Sequence, residues 1–203
     1  MLSAKDIICR VYCGILVVIW VLAPYAILQQ VEIFPVYWMP ELAIDRAIPV
    51  NFTAIWVYFS FYLLLGLVGL TLNKRLFVRY MYTIGWSTLV AHMVFLFFPN
   101  GATRDAIEID SAPWIYQLLV SADLPRNAFP SLHATRSVIA ALAVQASATN
   151  IALKSLTWLW VLAIFWSTIA LRQHVSLDLI AGSLVAIIVW RWMKNSWEMK
   201  HHF

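Results

Sequence analysis

The chain reads as an all-α, polytopic membrane protein: a bundle of six transmembrane helices with both termini in the cytoplasm. Three observations predict this. Of its 203 residues, 63% are hydrophobic and 12% charged, against roughly 25% charged in an ordinary soluble domain. Long uncharged apolar runs recur along the chain. Its 11 Trp, 8 Tyr and 11 Phe suit rings that sit at both lipid headgroup levels with an apolar body and a polar edge. A water-soluble globule is excluded, because 24 Asp, Glu, Lys and Arg cannot cover so much apolar volume. Disorder and coiled coil fall with it, and the net charge of +4 gives little support to a nucleic-acid partner.

The spans follow in order. Val11 to Leu28 is 18 residues without a charge and Ala54 to Leu72 is 19, each close to the ~20 that cross a bilayer as a helix. The first run is too long for a signal-peptide core of ~7–15 residues and no small-x-small cleavage site follows, so it is expected to remain as an anchor. Tyr80 to Phe98 is the third span. Ser137 to Leu153 and Leu156 to Leu171 are the fourth and fifth, with Lys154 and Ser155 between them. The sixth, from about Val175 to Trp190, carries Asp178 near its start, at an energetic cost that calls for a reason. Cys9 and Cys13, one turn apart in the first span, are expected to be free thiols packed among helices.

Six spans put nine of the 14 cations on the side of the termini, whereas Arg46, Arg104, Arg126, Arg136 and Arg172 fall opposite, with eight of the ten acids. The positive-inside rule makes the first side cytoplasmic. Two longer loops, about Gln29 to Thr53 and Pro99 to Phe129, then face outward, and their Pro, Trp and acidic residues suggest chain lying along the interface. No repeat or linker divides residues 1–203, which are expected to form one domain. Asn51-Phe52-Thr53 fits a glycosylation sequon but abuts a span, and it carries no functional weight.

Three polar clusters fall at the outer ends of spans. They are Arg104, Phe129-Pro130-Ser131-Leu132-His133, and Arg172-Gln173-His174 with Asp178. A short-looped bundle can gather them into one outward-facing pocket. His174 and Asp178, four apart, are neighbours on one helix face. A carboxylate there fixes the imidazole tautomer and makes its other nitrogen more basic, as in a catalytic triad. The same pair could instead close a helix junction or supply two metal ligands. Pro130 is expected in the first turn of the fourth span, where free amides and the Ser131 hydroxyl form an anion site and His133 can protonate a leaving oxygen. Ser131 acting only as a helix cap is the competing reading. Arg172 is the first candidate to hold phosphate and Arg104 the second; Arg126 and Arg136 are assigned to loop acids or headgroups. His92, inside the third span, and His201 and His202, at the C terminus, are left out of the site.

These residues resemble a known family. Pro130-Ser131-Leu132-His133, then Ser167, Arg172, His174 and Asp178, resemble the second and third signatures of the type-2 phosphatidic acid phosphatase superfamily, usually Pro-Ser-Gly-His and Ser-Arg-x5-His-x3-Asp. The run Phe-Pro-Ser-Leu-His-Ala is similar to the branch that includes inositol phosphorylceramide synthases and many bacterial relatives. The resemblance covers about Phe98 to Gly182. Position 168 is Thr where the common signature has Arg, and Arg172 is taken to supply that charge. The Lys-x6-Arg-Pro first signature is absent, and Phe98-Pro99-Asn100-Gly101-Ala102-Thr103-Arg104 resembles the branch's Phe-Pro-x4-Arg loop instead.

The resemblance implies a lipid phosphate or diphosphate phosphatase in which His174 attacks phosphorus, Asp178 orients it and His133 protonates the leaving group. Arg172, Ser131 and Arg104 would bind the phosphate. Arginines and amides would do what magnesium does in kinases, so neither metal nor cofactor is expected. The site would face the periplasm or exterior of a plasma membrane, as in a bacterial inner membrane. The rival within the same chemistry is a phosphotransferase that passes the group to an alcohol. A small transporter or scaffold, and a membrane serine protease using Ser131, are weaker rivals: proton relays do not require Pro-Ser-x-His at a helix mouth, and no Gly-x-Ser-Gly elbow surrounds Ser131.

Overall fold

A computed structural model of the chain describes residues 3–31, 33–105 and 107–199. The order is α1 (Ala4–Gln30), β1 (Tyr37–Trp38), α2 (Ala43–Ala47), α3 (Ile55–Thr71), α4 (Lys74–Phe97), β2 (Asn100–Gly101), α5 (Trp114–Ala122), α6 (Leu132–Ser147), α7 (Ile151–Ala170) and α8 (Ser176–Met199), with 3-10 turns at Phe52–Ala54 and Ile109–Ser111. Among the described residues, five helices are long and apolar enough to cross a membrane: α1, α3 with its preceding turn, α4, α7 and α8. The predicted fourth span, α6, is 16 residues long, about 24 Å at 1.5 Å per residue.

Helix boundaries follow their caps. Asn150 accepts a bond from the Ala152 amide at 2.8 Å and starts α7, so the break between the fourth and fifth spans lies at 148–150. The expected break at Lys154-Ser155 is wrong, because both residues lie inside α7. The fourth span also begins earlier than Ser137, since Ser131 caps α6 by accepting from the Ala134 amide at 3.2 Å. Pro130 consequently precedes the cap instead of occupying the first turn. At the start of α1, Ser3 and Asp6 form a reciprocal capping box that extends the helix ahead of the expected Val11.

Burial ranks the helices. In α6, eleven of 16 residues are buried, and it packs against α3, α4, α7 and α8. It is the central post. Ile139, Ile164, Phe61, Leu64 and Ala186 form the apolar core around it. In contrast α1 buries only Arg10, Val21 and Gln29 and packs mainly on α4. The outer surface of the bundle is apolar, with Trp56, Leu159, Leu162 and Ile188 exposed, as lipid-facing helices require. Cys9 and Cys13 are free, as expected, but Cys9 is exposed and only Cys13 is partly buried, so Cys9 is not packed among helices because α1 lies at the edge of the bundle.

The two long loops join each other before they reach the bundle. β1 and β2 pair in parallel, Tyr37 with Asn100 and Trp38 with Gly101. Only glycine fits at 101, because a Cβ there would collide with the Pro125 carbonyl and the Trp38 ring. Helix α5 buries Tyr116, Leu119 and Val120 and exposes Trp114 and Leu118, the pattern of a helix lying along an interface.

Candidate active site

The α7–α8 junction is built by a helix stop of unusual composition. The Gln173 amide bonds the Thr168 carbonyl at 2.9 Å and the Arg172 amide bonds that of Ile169 at 3.0 Å, which closes α7 by a Schellman motif. The left-handed position, commonly glycine, is Arg172 with φ 53°. Its side chain holds it there by donating to the carbonyls of Asp45 at 2.8 Å and Ile48 at 3.1 Å. From the same loop, the Asp45 carboxylate accepts from the Ser176 amide and hydroxyl at the first turn of α8, where the helix dipole favours an anion. The loop between α1 and α3 thus clamps the turn that carries His174.

His174 and Asp178 meet as their spacing predicts. Nδ1 of His174 lies 3.4 Å from Oδ2 of Asp178, a long contact of the kind that tightens when substrate binds. The same oxygen accepts from the Val175 amide at 3.0 Å. Asp178 is 0% exposed and its Oδ1 has no partner. With Nδ1–H donating to this carboxylate, Nε2 of His174 carries the lone pair. That nitrogen lies 3.4 Å from Nδ1 of His133. The result is a continuous line Asp178–His174–His133.

His133 is placed by helix packing. Its ring lies against Tyr58 and Phe61 of α3, with centroids 4.6 and 4.7 Å away. The start of α6 is locked to α8, since the Ser131 amide bonds the Asp178 carbonyl at 3.0 Å and the Thr135 hydroxyl donates to the Gly182 carbonyl at 3.0 Å. A Cβ at 182 would collide with the Ser131 carbonyl. Glycine there lets the two histidine-bearing helices approach.

The phosphate candidates divide. Ser131 is 0% exposed and its oxygen caps α6. Arg104 is buried at the site's edge and donates to Gln173 Oε1 at 2.7 Å, beside His174. Arg172 points at the loop between α1 and α3, with Nε lacking a partner. Arg136 is not among the outer-loop acids: it lies inside α6, one turn from His133, with Nη2 3.5 Å from the Thr88 hydroxyl. Arg126 donates to the Gln29 carbonyl at 3.3 Å. His92 is buried in α4 and joins no part of the line. His201 and His202 lie outside the described residues.

Several residues of the site carry no motif. Asn100 is 1% exposed; it accepts from the Phe129 amide at 2.6 Å and donates to the Phe129 carbonyl at 2.8 Å, fixing the approach to Ser131. Tyr116 donates to the Leu171 carbonyl at 3.0 Å, and burial pushes its phenol above the usual value, which keeps it a donor. An Asn in the Phe-Pro loop and a Tyr in α5 give no local signal, because their partners are remote in sequence. Among the described residues, no group of three or more His, Cys, Asp or Glu side chains comes together as a metal site.

The chain is a membrane helix bundle with a buried His–Asp pair, an arrangement consistent with a catalytic dyad, and a second histidine from the central helix stands beside it. The family follows directly. The model of the PAP2 superfamily matches residues 29–192, and the chain belongs to that superfamily. Neither the curated proteins nor the solved structures give a match.

Proposed function

We propose that the protein is a membrane-embedded phosphatase that hydrolyses a lipid phosphate or diphosphate through a phosphohistidine at the outer membrane face. The observation that carries this reading is the line from buried Asp178 through His174 to His133. Nε2 of His174 attacks phosphorus, the imidazolium so formed is stabilised by Asp178, and His133 gives a proton to the departing oxygen. His133 then takes the proton of the water that releases phosphate. Arg104, next to His174 through Gln173, and the Nε of Arg172 are the cations for the transferring oxygens, together with the first-turn amides of α6. Phosphate-ester hydrolysis needs up to ~10²¹-fold acceleration, so positioned charge matters as much as the nucleophile.

The topology belongs to the same reading. With α6 as a sixth, shorter span, both termini are cytoplasmic and residues 1–203 form one domain. The site then opens on the exterior.

Phosphate release by the detergent-purified protein in excess EDTA, against phosphatidic acid, phosphatidylglycerol phosphate and a polyprenyl diphosphate, tests the proposal. Release in EDTA that vanishes in His174→Ala is the expected result; release that needs added Mg²⁺ or Zn²⁺ would sink the metal-free mechanism. A lipid phosphotransferase is the second reading, favoured by the similarity of Phe129 to Ala134 to the phosphorylceramide-synthase branch. An acceptor alcohol that turns phosphate release into a new phosphodiester or phospholipid would select it.

A further inference from the structure

Asp45 is a buried carboxylate that the mechanism above does not use. It lies in the loop between α1 and α3 and is 1% exposed. Its Oδ1 accepts from the Ser176 amide at 2.8 Å and from the Ser176 hydroxyl, and its Oδ2 accepts from the Leu42 amide at 2.8 Å. A buried carboxylate is costly unless donors surround it; here three neutral donors and the N-terminal dipole of α8 do so. One oxygen thus faces α8 and the other its own loop.

Two further contacts bring the same short segment to the site. The Asp45 and Ile48 carbonyls take both Nη nitrogens of Arg172, which leaves Nε as the unpartnered buried nitrogen of that guanidinium. The Ile48 side chain packs into a small apolar cluster of Ala134, Ile169 and Leu179, one residue each from α6, α7 and α8. Ala134 directly follows His133. Residues 45–48 therefore touch the helix that carries His133, the turn that carries His174, and Arg172 between them. A helix stop by itself needs no such support, because glycine at the left-handed position closes a helix unaided. Arg172 at φ 53° persists only where its surroundings hold it.

We infer that Asp45 is a positioning residue for the reaction of His174. This rests on the phosphatase reading and adds to it a residue outside the signatures. Asp45 does not touch the imidazole; it acts through Ser176. With the first turn of α8 held, the Asp178 carboxylate two residues on stays within reach of the Val175 amide and of His174 Nδ1, and His174 Nε2 keeps its aim. Release of the turn displaces that nitrogen, and ~1 Å at a reacting atom lowers rates by about 10²-fold. What is lost is alignment in the transition state and not attachment of the lipid, so kcat falls while KM stays.

The test compares full-length Asp45→Ala, Asp45→Asn and Glu41→Gln in detergent. Asn keeps one acceptor oxygen for Ser176. Glu41 is on the same loop, with its carboxylate 3.9 Å from Arg172, and serves as the charge control. Hydrolysis of phosphatidic acid gives kcat and KM, and potassium phosphoramidate is a second, lipid-free probe. Nε2 of His174 bonds to its phosphorus as the P–N bond breaks, and the electron pair leaves with the ammonia, already protonated in the zwitterionic reagent. Asp45→Ala should slow both turnover and labelling of His174 by about 10²-fold, with KM changed less than about threefold. Asp45→Asn should recover most of both, and Glu41→Gln should change neither. If Asp45→Ala does not fold, Asp45→Glu, which pushes the same carboxylate out by one methylene, carries the same expectation. Normal turnover and labelling in the folded variant overturns the inference. So does a rise in KM at unchanged kcat, or an equal loss in Glu41→Gln. The phosphatase reading fails separately: a wild-type protein labelled at His174, and more slowly in Asp45→Ala, that hydrolyses no lipid phosphate contradicts that reading alone. No label on wild-type His174 overturns both.

Discussion

At the scale of single residues, the proposed mechanism makes Asp178 the group that decides how His174 can act. A fully buried carboxylate at the first turn of α8 is expensive, and it is repaid by the Val175 amide, the helix dipole and the imidazole. Asn at 178 keeps an acceptor for the Val175 amide but loses the charge that stabilises the imidazolium. Asp178→Asn should therefore fold normally and lower kcat by about 10²–10⁴-fold, as the loss of an oriented acid–base partner does elsewhere. Unchanged Tm with reduced turnover is the expected outcome, and near-normal turnover would remove Asp178 from the mechanism. The His-x3-Asp spacing made this pair legible in the sequence, because residues four apart share a helix face. Arg172 was less legible. Its place in the signature pointed to phosphate, whereas its left-handed backbone and its bonds to Asp45 and Ile48 depend on a loop more than a hundred residues earlier. Arg136 was misread for a related reason, since its position relative to the span depended on where α6 begins.

At the scale of elements, the site exists because α6 and α8 approach closely at Gly182. Gly182→Leu would drive a side chain into the Ser131 carbonyl and Thr135, an overpacking that costs about 1–3 kcal/mol. The resulting shift separates His133 from His174, and a displacement of ~1 Å at reacting groups lowers rates by about 10²-fold. Gly85→Ala, where a Cβ meets nothing within 4 Å, should leave Tm and turnover nearly unchanged. Comparing the two purified variants separates close approach from a general intolerance of glycine replacement. Hydrophobic runs located the spans well, and α3 lies within a residue of its expected bounds at both ends. The boundaries that moved were set by single hydrogen bonds, from Asn150 and Ser131, which hydropathy does not register. The clamp of the α1–α3 loop on the α7–α8 turn was not legible at all, because Asp45 and Ser176 carry no pattern that relates them.

At the scale of the whole molecule, the apolar exterior and the polar junctions at one end of the bundle make orientation the property on which the proposed function depends. A site facing outward would act on lipids of the outer leaflet. In a background with Cys9 and Cys13 replaced by Ser, a cysteine at exposed Glu108 should react with an impermeant maleimide added outside intact cells, and one at exposed Arg75 should not. The reverse labelling would place the His174 junction in the cytoplasm and leave its geometry intact. Composition and charge distribution argued for this arrangement because insertion responds to whole loops; no single contact carries it.

The central claim is covalent catalysis by His174. Rapid mixing of the protein with a ³²P-labelled lipid phosphate or diphosphate, quenched in alkali, tests it most directly, because a phosphorus–nitrogen bond survives alkali and breaks in acid. The account predicts protein-bound label that is alkali-stable, acid-labile and located at residue 174. That label should be absent from His174→Ala. Turnover with no such label at any quench time, or label that persists in His174→Ala, would contradict it.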